Sequence, residues 1–210
     1  MDNTLLHSSI DFGAMKRDIY AFLCSHGVLS PGLSMDTHTT STVIAEGMNT
    51  GQLSEELSSM MWDIAKEHEI QGMLGANLEE GAMELVRQLQ GQLHLAIVTN
   101  NAVEAAMAAL EENRIAHYFD LVIGREAMGL LKPAPDGYMA VLRHFHHTSP
   151  KEWLSVGDAW VDGKASESAG IPFIAYRGDI ARMNRMGVFP IAEIQDIQEV
   201  LGYLQPHITK

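Results

Sequence analysis

The amino-acid sequence predicts an α/β fold, a doubly wound parallel-sheet core with an inserted α-helical domain, and two observations carry this prediction. From about Glu80 onward, short apolar runs alternate with amphipathic stretches, which is typical of the strand-helix units of a parallel sheet. Between about residues 11 and 78, apolar residues recur at helical spacing without a convincing strand. We therefore expect residues 1–10 and 80–210 to form the core and residues 11–79 to form the inserted domain.

The clearest strand of the predicted core is the apolar run 93–98, which ends in Thr99-Asn100-Asn101. A helical pattern follows over 102–112, with Asn101 and Glu104 spaced as a capping pair. Further apolar runs predict strands at 121–123, 153–156 and 172–175, and helical patterns at about 136–146 and 159–168 separate them. This alternation of strands and helices is typical of a doubly wound fold.

The inserted domain shows helical periodicity in two stretches. The first carries Ile19, Phe22 and Leu23, and the second carries Leu57, Met60, Met61, Ile64 and Ala65. Pro31-Gly32 and Asn49-Thr50-Gly51 have the composition of turns. We expect helices joined by turns in this part of the chain.

Composition and charge narrow the classes of function. The 210 residues, 46% of them hydrophobic, suffice for one sizeable core with a smaller insert. The formal net charge of -13 opposes binding to nucleic acid or to an anionic membrane, so we expect a small-molecule substrate. The single cysteine, Cys24, cannot form an internal disulfide, and no apolar run approaches the roughly 20 residues of a membrane span. A soluble, cytoplasmic protein, monomeric or homodimeric, is the expectation.

Polar residues that follow apolar runs are the candidate site residues, because ligands of open α/β sheets lie off the carboxyl ends of the strands. Each candidate taken alone has an ordinary explanation as a terminus, a helix entry, a solvated lysine or a helix cap. Together they offer a hydroxyl and a lysine for phosphate oxygens, and carboxylates of the kind that hold magnesium. The four places are Asp2-Asn3-Thr4, Thr99-Asn100, Lys132-Pro133, and Gly157-Asp158 with Asp162 one helical turn further on.

In their order and spacing, these places resemble the haloacid dehalogenase-like hydrolase superfamily, in its branch of phosphoglycolate-phosphatase-like enzymes with a helical cap. The opening motif Asp-x-Asp-x-Thr is retained as x-Asp-x-Thr in residues 1–4, and the second motif, a strand ending in Thr, is matched at residues 97–100. The third motif is matched by Lys132-Pro133-Ala134-Pro135, and the fourth, Gly-Asp-x-x-x-Asp, by residues 157–162 with Ala169-Gly170 downstream. The resemblance implies a Rossmann-like core, with the insert as its cap.

The resemblance also implies a chemistry, the magnesium-dependent hydrolysis of small phosphorylated metabolites through an aspartyl-phosphate. Asp2 would be the acid and base, and its backbone carbonyl would bind Mg²⁺. Thr99, Asn100 and Lys132 would hold the phosphoryl oxygens, with Thr99 and Lys132 counted among the catalytic residues. Asp158 and Asp162 complete the metal set, with Asp162 supporting either the ion or Lys132.

One departure from the family pattern concerns the nucleophile, which would stand directly before Met1, at the end of a strand that is also missing. Either the start codon is misassigned, or the protein is a catalytically inactive relative that uses the cap cleft for binding. Burying an apolar side chain stabilises a fold by roughly 1.5–3 kcal/mol. Losing about five of them would therefore remove a free energy comparable to the total stability of a domain, which is roughly 5–15 kcal/mol. We therefore favour a misassigned start and expect the chain as written to be inactive.

The same motifs are compatible with other activities. A phosphomutase shares the hydrolase core, and a bisphosphate requirement would distinguish it. A dehalogenase is less favoured, because in that branch the acid represented by Asp2 is not needed. The substrate is undetermined, because nothing between residues 11 and 78 identifies the cap side chains that would select it.

Overall fold

The computed structural model describes residues 1–204, which divide into two compact units. The core unit comprises Met1–Ser8 and residues 75–204, and the helical unit comprises Ser9–Leu74. Among the described helices, none combines the length and the apolar character that crossing a bilayer requires.

The helical unit consists of α1 (Phe12–Ser25), α2 (Thr40–Asn49) and α3 (Glu55–Met73). Each helix begins after a side chain that caps its first turn, from Asp11, Thr39 and Ser54 respectively. The buried positions include Ile19, Leu23, Met61 and Ala65, which the sequence periodicity selected, whereas Met60 is 44% exposed. The helix α2 lies between the two predicted turns, in a stretch of the insert for which the sequence analysis named no individual helix.

The core unit follows the predicted alternation of strands and helices. Its strands are β1 (Leu6–His7), β2 (Asn77–Leu78), β3 (Ala96–Val98), β4 (Leu121–Ile123), β5 (Ser155–Gly157), β6 (Phe173–Tyr176) and β7 (Ala192–Ile194). Its helices are α4 (Ala82–Leu89), α5 (Val103–Glu112), α6 (Asp136–His144), α7 (Trp160–Ser168), α8 (Ile180–Arg185) and α9 (Val200–Leu204), with single 3-10 turns at Ala116–Tyr118, Arg125–Ala127, Pro150–Glu152 and Ile197–Glu199.

The parallel strands form two separate sheets among the described residues. β3 pairs with β4, with Ile97 opposite Val122, and β5, β6 and β7 pair in that order, with Val156 opposite Ile174. The prediction of an α/β fold with parallel sheets is thus confirmed, and the sheet is interrupted between β3 and β5. β1 and β2 form a short antiparallel ribbon, with Leu6 opposite Leu78.

Helices cover both faces of the three-stranded sheet, as a doubly wound fold requires. Alternate residues of β6 point to opposite faces. Ile174 and Tyr176 pack with Leu85 and Leu89 of α4, whereas Phe173 and Ala175 pack with a second cluster of buried residues, Trp160, Met183 and Val188.

Two local predictions were wrong. The stretch assigned to the insert was expected to lack strands, yet Asn77–Leu78 forms β2, because a strand of two residues is too short to show alternation in the sequence. Asn101 does not cap the helix that follows it: its Nδ2 donates to Asp2 Oδ2 at 2.8 Å. The N-cap of α5 is Ala102, and the N–H of Val103 donates instead to Glu126 Oε2 at 3.0 Å.

Candidate active site

The first residues of the chain lie at the carboxyl ends of β3 and β5. Asn101, which follows β3, binds the carboxylate of Asp2, and the hydroxyl of Thr4 donates to Asp158 Oδ1 at 3.1 Å just beyond β5. A tight turn holds this segment, in which the N–H of Leu5 donates to the carbonyl of Met1 at 2.8 Å. The structure therefore brings Asp2 and Asp158, from opposite ends of the sequence, to the same edge of the core.

Lys132 and Asp162 form a buried ion pair at this edge. Lys132 Nζ lies 2.6 Å from Asp162 Oδ1 and also donates to the carbonyl of Val98 at 2.8 Å. Burial by itself lowers the pKa of Lys132, but the charge of Asp162 and the hydrogen bond to it outweigh burial, so the pKa lies above its ordinary value. Both groups stay charged at neutral pH, since burial alone would raise the pKa of Asp162 but Lys132 holds it below its ordinary value.

Asn100 fixes the backbone of Lys132. Asn100 Oδ1 accepts from the N–H of Lys132 at 2.9 Å, and Asn100 Nδ2 donates to the carbonyl of the same residue at 3.1 Å. The Asn100 side chain is thus occupied in holding the lysine loop. Thr99 beside it is buried, and its hydroxyl oxygen accepts from the N–H of Asn101 at 3.2 Å.

The two carboxylates of the Gly-Asp-x-x-x-Asp stretch differ in their surroundings. Asp162 Oδ2 accepts from the N–H of Ala159 at 3.2 Å, so each of its oxygens has a partner. Asp158 accepts from Thr4, and burial, followed by the charge of Asp162, raises the pKa of Asp158. Gly157 allows Asp162 to approach β5, because a Cβ at this position would lie 2.8 Å from the Cβ of Asp162.

Asp2 has one oxygen bound and one without a partner. Its Oδ1 is buried and makes no hydrogen bond to any described residue, although leaving such a group unpaired costs about 1–3 kcal/mol. A cation or a donor group from a ligand would satisfy this oxygen. Asp2 and Asp158 offer the hard oxygen ligands that Mg²⁺ prefers, so the residues present fit the ion.

In residues 1–204, no three His, Cys, Asp or Glu side chains are grouped so as to hold a metal. This is compatible with Mg²⁺, which keeps several waters and is usually bound by one or two carboxylates with substrate oxygens.

The sequence pattern missed three contacts of the site. Asn101 was interpreted as a cap, Thr4 carried no assigned role, and Tyr138 was not singled out. The Tyr138 hydroxyl hydrogen-bonds to Ser155 Oγ at 2.8 Å, and burial raises the pKa of Tyr138 to about 12. The available signal was the place of Thr4 inside the opening motif and of Asn101 directly after the second motif, whereas Tyr138 lies within a helical pattern and offered none.

Comparison with known proteins gives a match to one family. The model for the haloacid dehalogenase-like hydrolases matches residues 34–176, which contain the second, third and fourth motifs. The phosphoglycolate phosphatase of Rhodobacter capsulatus is 31% identical over 106 residues, covering 49% of this chain and 46% of that protein. The phosphoglycolate phosphatase of Escherichia coli K12 is 35% identical over 82 residues, which cover 39% of this chain and 32% of that protein. The chain thus spans about half the length, or less, of these curated relatives.

Solved structures match over nearly the whole chain. A hydrolase of the same superfamily, subfamily IA variant 1, from Geobacter sulfurreducens superposes with a TM-score of 0.61 and 25% identity, covering 97% of this chain and 95% of that one. YfnB from Bacillus subtilis, in a crystal form bound to magnesium, superposes with a TM-score of 0.60 at 19% identity. The superposition covers 98% of this chain and 96% of that one.

Proposed function

This chain belongs to the haloacid dehalogenase-like hydrolase family, and from that premise we propose that it hydrolyses phosphate monoesters of small metabolites with Mg²⁺. The observation that carries the proposal is the buried Lys132–Asp162 pair at the same sheet edge as Asp2 and Asp158. This edge offers a fixed cation for phosphoryl oxygens beside carboxylates for a metal ion. The phosphoglycolate phosphatases among the relatives support a small phosphorylated substrate.

Lys132 binds the transferring phosphoryl group in this scheme. Its charge is maintained by Asp162, and its backbone is held by the Asn100 side chain, so the ammonium group is positioned before substrate arrives. A preorganised cation stabilises charge that develops in the transition state without a reorganisation cost at that moment. Thr99 and the backbone of Asn100 adjoin it and contribute donors to the same oxygens.

Asp158 and the backbone carbonyl of Asp2 would hold Mg²⁺, with Asp162 acting on Lys132 and on the ion from a greater distance. The ion would offset repulsion between the anionic phosphate and the carboxylates of the site. The solved structure of YfnB is bound to magnesium, which supports the choice of the ion.

In this scheme Asp2 acts first as the general acid and then as the general base. Asn101 holds Oδ2, so Oδ1 is the oxygen that protonates the leaving group and later accepts a proton from water. The nucleophile of the scheme is a carboxylate directly before Met1. Its attack forms an aspartyl-phosphate as the bond to the leaving oxygen breaks, and water then releases phosphate and restores the carboxylate.

The test is to extend the reading frame upstream of Met1 and to assay the purified, folded protein against an aryl phosphate and a panel of small phosphorylated metabolites. We expect turnover that requires Mg²⁺ and an Asp codon directly before Met1, and that is lost when this aspartate is changed to Asn. The Glu112→Gln variant, which alters an exposed carboxylate of α5, should retain full activity.

Three results would decide against the proposal. They are upstream codons without an Asp-terminated apolar run, a folded extended protein with no turnover, or turnover that the Asp→Asn change leaves intact. Turnover that requires a bisphosphate would identify a phosphomutase instead.

A further inference from the structure

Glu79 is a largely buried carboxylate of the core unit to which the proposed mechanism gives no role. It directly follows β2, and its side chain is only 10% exposed. A carboxylate that leaves water loses its solvation, so it is retained only where charged or hydrogen-bonding partners compensate for that loss. The partners of Glu79 therefore indicate what this residue does.

The two close partners of the Glu79 carboxylate lie at the end of β6. Oε2 accepts from the hydroxyl of Tyr176 at 3.0 Å and from Nη1 of Arg177 at 3.1 Å. Tyr176 is buried, and burial together with the hydrogen bond to Glu79 raises the pKa of Tyr176 to about 12, so its hydroxyl keeps the proton that it donates. The other oxygen, Oε1, lies 3.7 Å from Nδ1 of the exposed His7. The carboxylate of Glu79 is thus bound mainly to the end of one central strand.

The backbone of Arg177 is fixed by the neighbouring strand β7. The N–H of Arg177 donates to the carbonyl of Ile194 at 3.0 Å, and its Nε donates to the carbonyl of Gln195 at 2.8 Å. The φ angle of Arg177 is 46°, in the left-handed region that residues with a side chain seldom adopt and that persists only where surrounding contacts hold it. Arg177 therefore offers Glu79 a cation that the sheet holds in one place.

The backbone of Glu79 holds the turn that carries Asp2 and Thr4. The N–H of Glu79 donates to the carbonyl of Leu5 at 2.9 Å, and the N–H of Leu5 donates to the carbonyl of Met1 at 2.8 Å. Both site residues lie within this hydrogen-bonded turn. A displacement of Glu79 would therefore displace the turn and the site residues with it.

The loop after β6 also contacts the backbone of Asp158. Gly178 follows Arg177 directly, and a Cβ at Gly178 would lie 2.9 Å from the carbonyl oxygen of Asp158. The loop after β6 is thus packed against the loop after β5. Glu79 connects this pair of loops, through Arg177, to the turn that carries Asp2.

We propose that Glu79 is a positioning residue of the metal site, which fixes the carbonyl of Asp2 relative to the carboxylate of Asp158. The proposal rests on the proposed function, because it assumes that these two groups bind Mg²⁺. Mg²⁺ demands near-ideal octahedral geometry, so a small displacement of one ligand weakens its binding. The hydrogen bond from Thr4 also joins the two segments, but it acts on the side chain of Asp158, whereas the contacts through Glu79 act on the backbone.

A purely structural role of Glu79 makes a different prediction. If Glu79 only stabilised the core unit as a whole, its loss would speed hydrogen exchange equally in the turn and at amides that open only on global unfolding. Ile115 provides such a reference amide, because it is fully buried and its N–H donates to the carbonyl of Leu110 at 2.9 Å. The N–H of Leu5 reports on the turn itself.

The experiment compares the 210-residue chain with four variants. Glu79→Leu removes both carboxylate oxygens, Glu79→Gln removes the charge but keeps an oxygen that can accept from Tyr176, and Tyr176→Phe removes only the hydroxyl. Glu80→Gln is the matched control, because it alters the neighbouring carboxylate, which is exposed. For each protein, hydrogen exchange is followed at Leu5 and Ile115 by nuclear magnetic resonance, and the Kd for Mg²⁺ is measured by titration calorimetry.

We expect Glu79→Leu to speed exchange at Leu5 by at least about tenfold, because a hydrogen bond to a charged group is lost, while exchange at Ile115 changes by less than about twofold. The Kd for Mg²⁺ should rise by at least about tenfold in the same variant. Glu79→Gln and Tyr176→Phe should show smaller changes in the same direction, of about threefold, and they carry the test if Glu79→Leu does not fold. Glu80→Gln should match the unchanged chain in both measurements.

Three outcomes overturn the proposal, and they separate it from the proposed function. Equal acceleration at Leu5 and Ile115 would show that Glu79 stabilises the unit as a whole. Mg²⁺ binding with the same Kd in the unchanged chain and in the Glu79 variants would show that the metal site does not depend on Glu79, and would leave the proposed function standing. Absence of Mg²⁺ binding in the unchanged chain would overturn the metal site of the proposed function and the part of Glu79 with it.

Discussion

The two parallel sheets of the core are joined at their carboxyl edge and separated below it. At the edge, Lys132 Nζ binds the carbonyl of Val98 at the end of β3 and the carboxylate of Asp162, which follows β5. Below the edge, the bodies of β3 and β5 face a cavity of about 1030 Å³. The polar groups at the edge therefore come from loops and helix starts, and their contacts form without a continuous sheet beneath them.

The largest expected effect comes from removing the lysine that joins the sheets. Lys132→Met leaves Asp162 buried without its cation, and breaking a buried pair from one side costs about 3–5 kcal/mol. We expect the free energy of unfolding, measured by urea denaturation, to fall by that amount. We expect this loss in the free energy of unfolding to exceed the loss caused by replacing any exposed lysine with Met.

The double variant Lys132→Met, Asp162→Leu is the matched control. Replacing both members of a buried pair by apolar residues is often neutral, so most of the lost stability should return. A double variant as unstable as the single one would show that the loss came from packing and not from the uncompensated charge.

A second prediction concerns magnesium, which the carboxylate of Asp158 and the backbone carbonyl of Asp2 would hold at the same edge. If Asp158 and Asp2 bind the ion, Mg²⁺ at a hundredfold excess over its Kd should stabilise the fold by about 2.7 kcal/mol, measured as an increase in Tm. Asp158→Asn should abolish the increase, and Glu112→Gln should preserve it. An equal increase in all three proteins would indicate unspecific binding to an acidic chain.

A smaller effect is expected at Gly157, where β5 meets the ion pair. Gly157→Ala places a Cβ 2.8 Å from the Cβ of Asp162, and overpacking of this kind costs roughly 1–3 kcal/mol. Gly202→Ala in α9 is the matched control, because a Cβ there meets nothing within 4 Å. Denaturation of both variants measures the difference, and equal stabilities would show that Asp162 can move without loss.

The sequence alone predicted the main elements, and it selected four places whose residues the structure brings to one edge of the core. The strand at 121–123 has the predicted bounds, and the strands at β3, β5 and β6 lie within a few residues of the predicted runs. The predictions of the elements succeeded because burial imposes a period on each element. The candidate site residues were selected because ligand groups of an open sheet follow the strands, and their role stays a prediction. The role of each candidate residue was not encoded in that pattern.

Only the tertiary structure decided which groups meet. Asn101 was expected to cap a helix, but it binds Asp2, which lies 99 positions earlier in the sequence. Both carboxylate oxygens of Asp162 have a partner, one in Lys132 and the other in the N–H of Ala159. The cavity between β3 and β5 is equally a property of the folded chain. A local pattern shows that a residue is apolar or polar, but hydrogen bonds and strand pairing depend on which distant segments become neighbours.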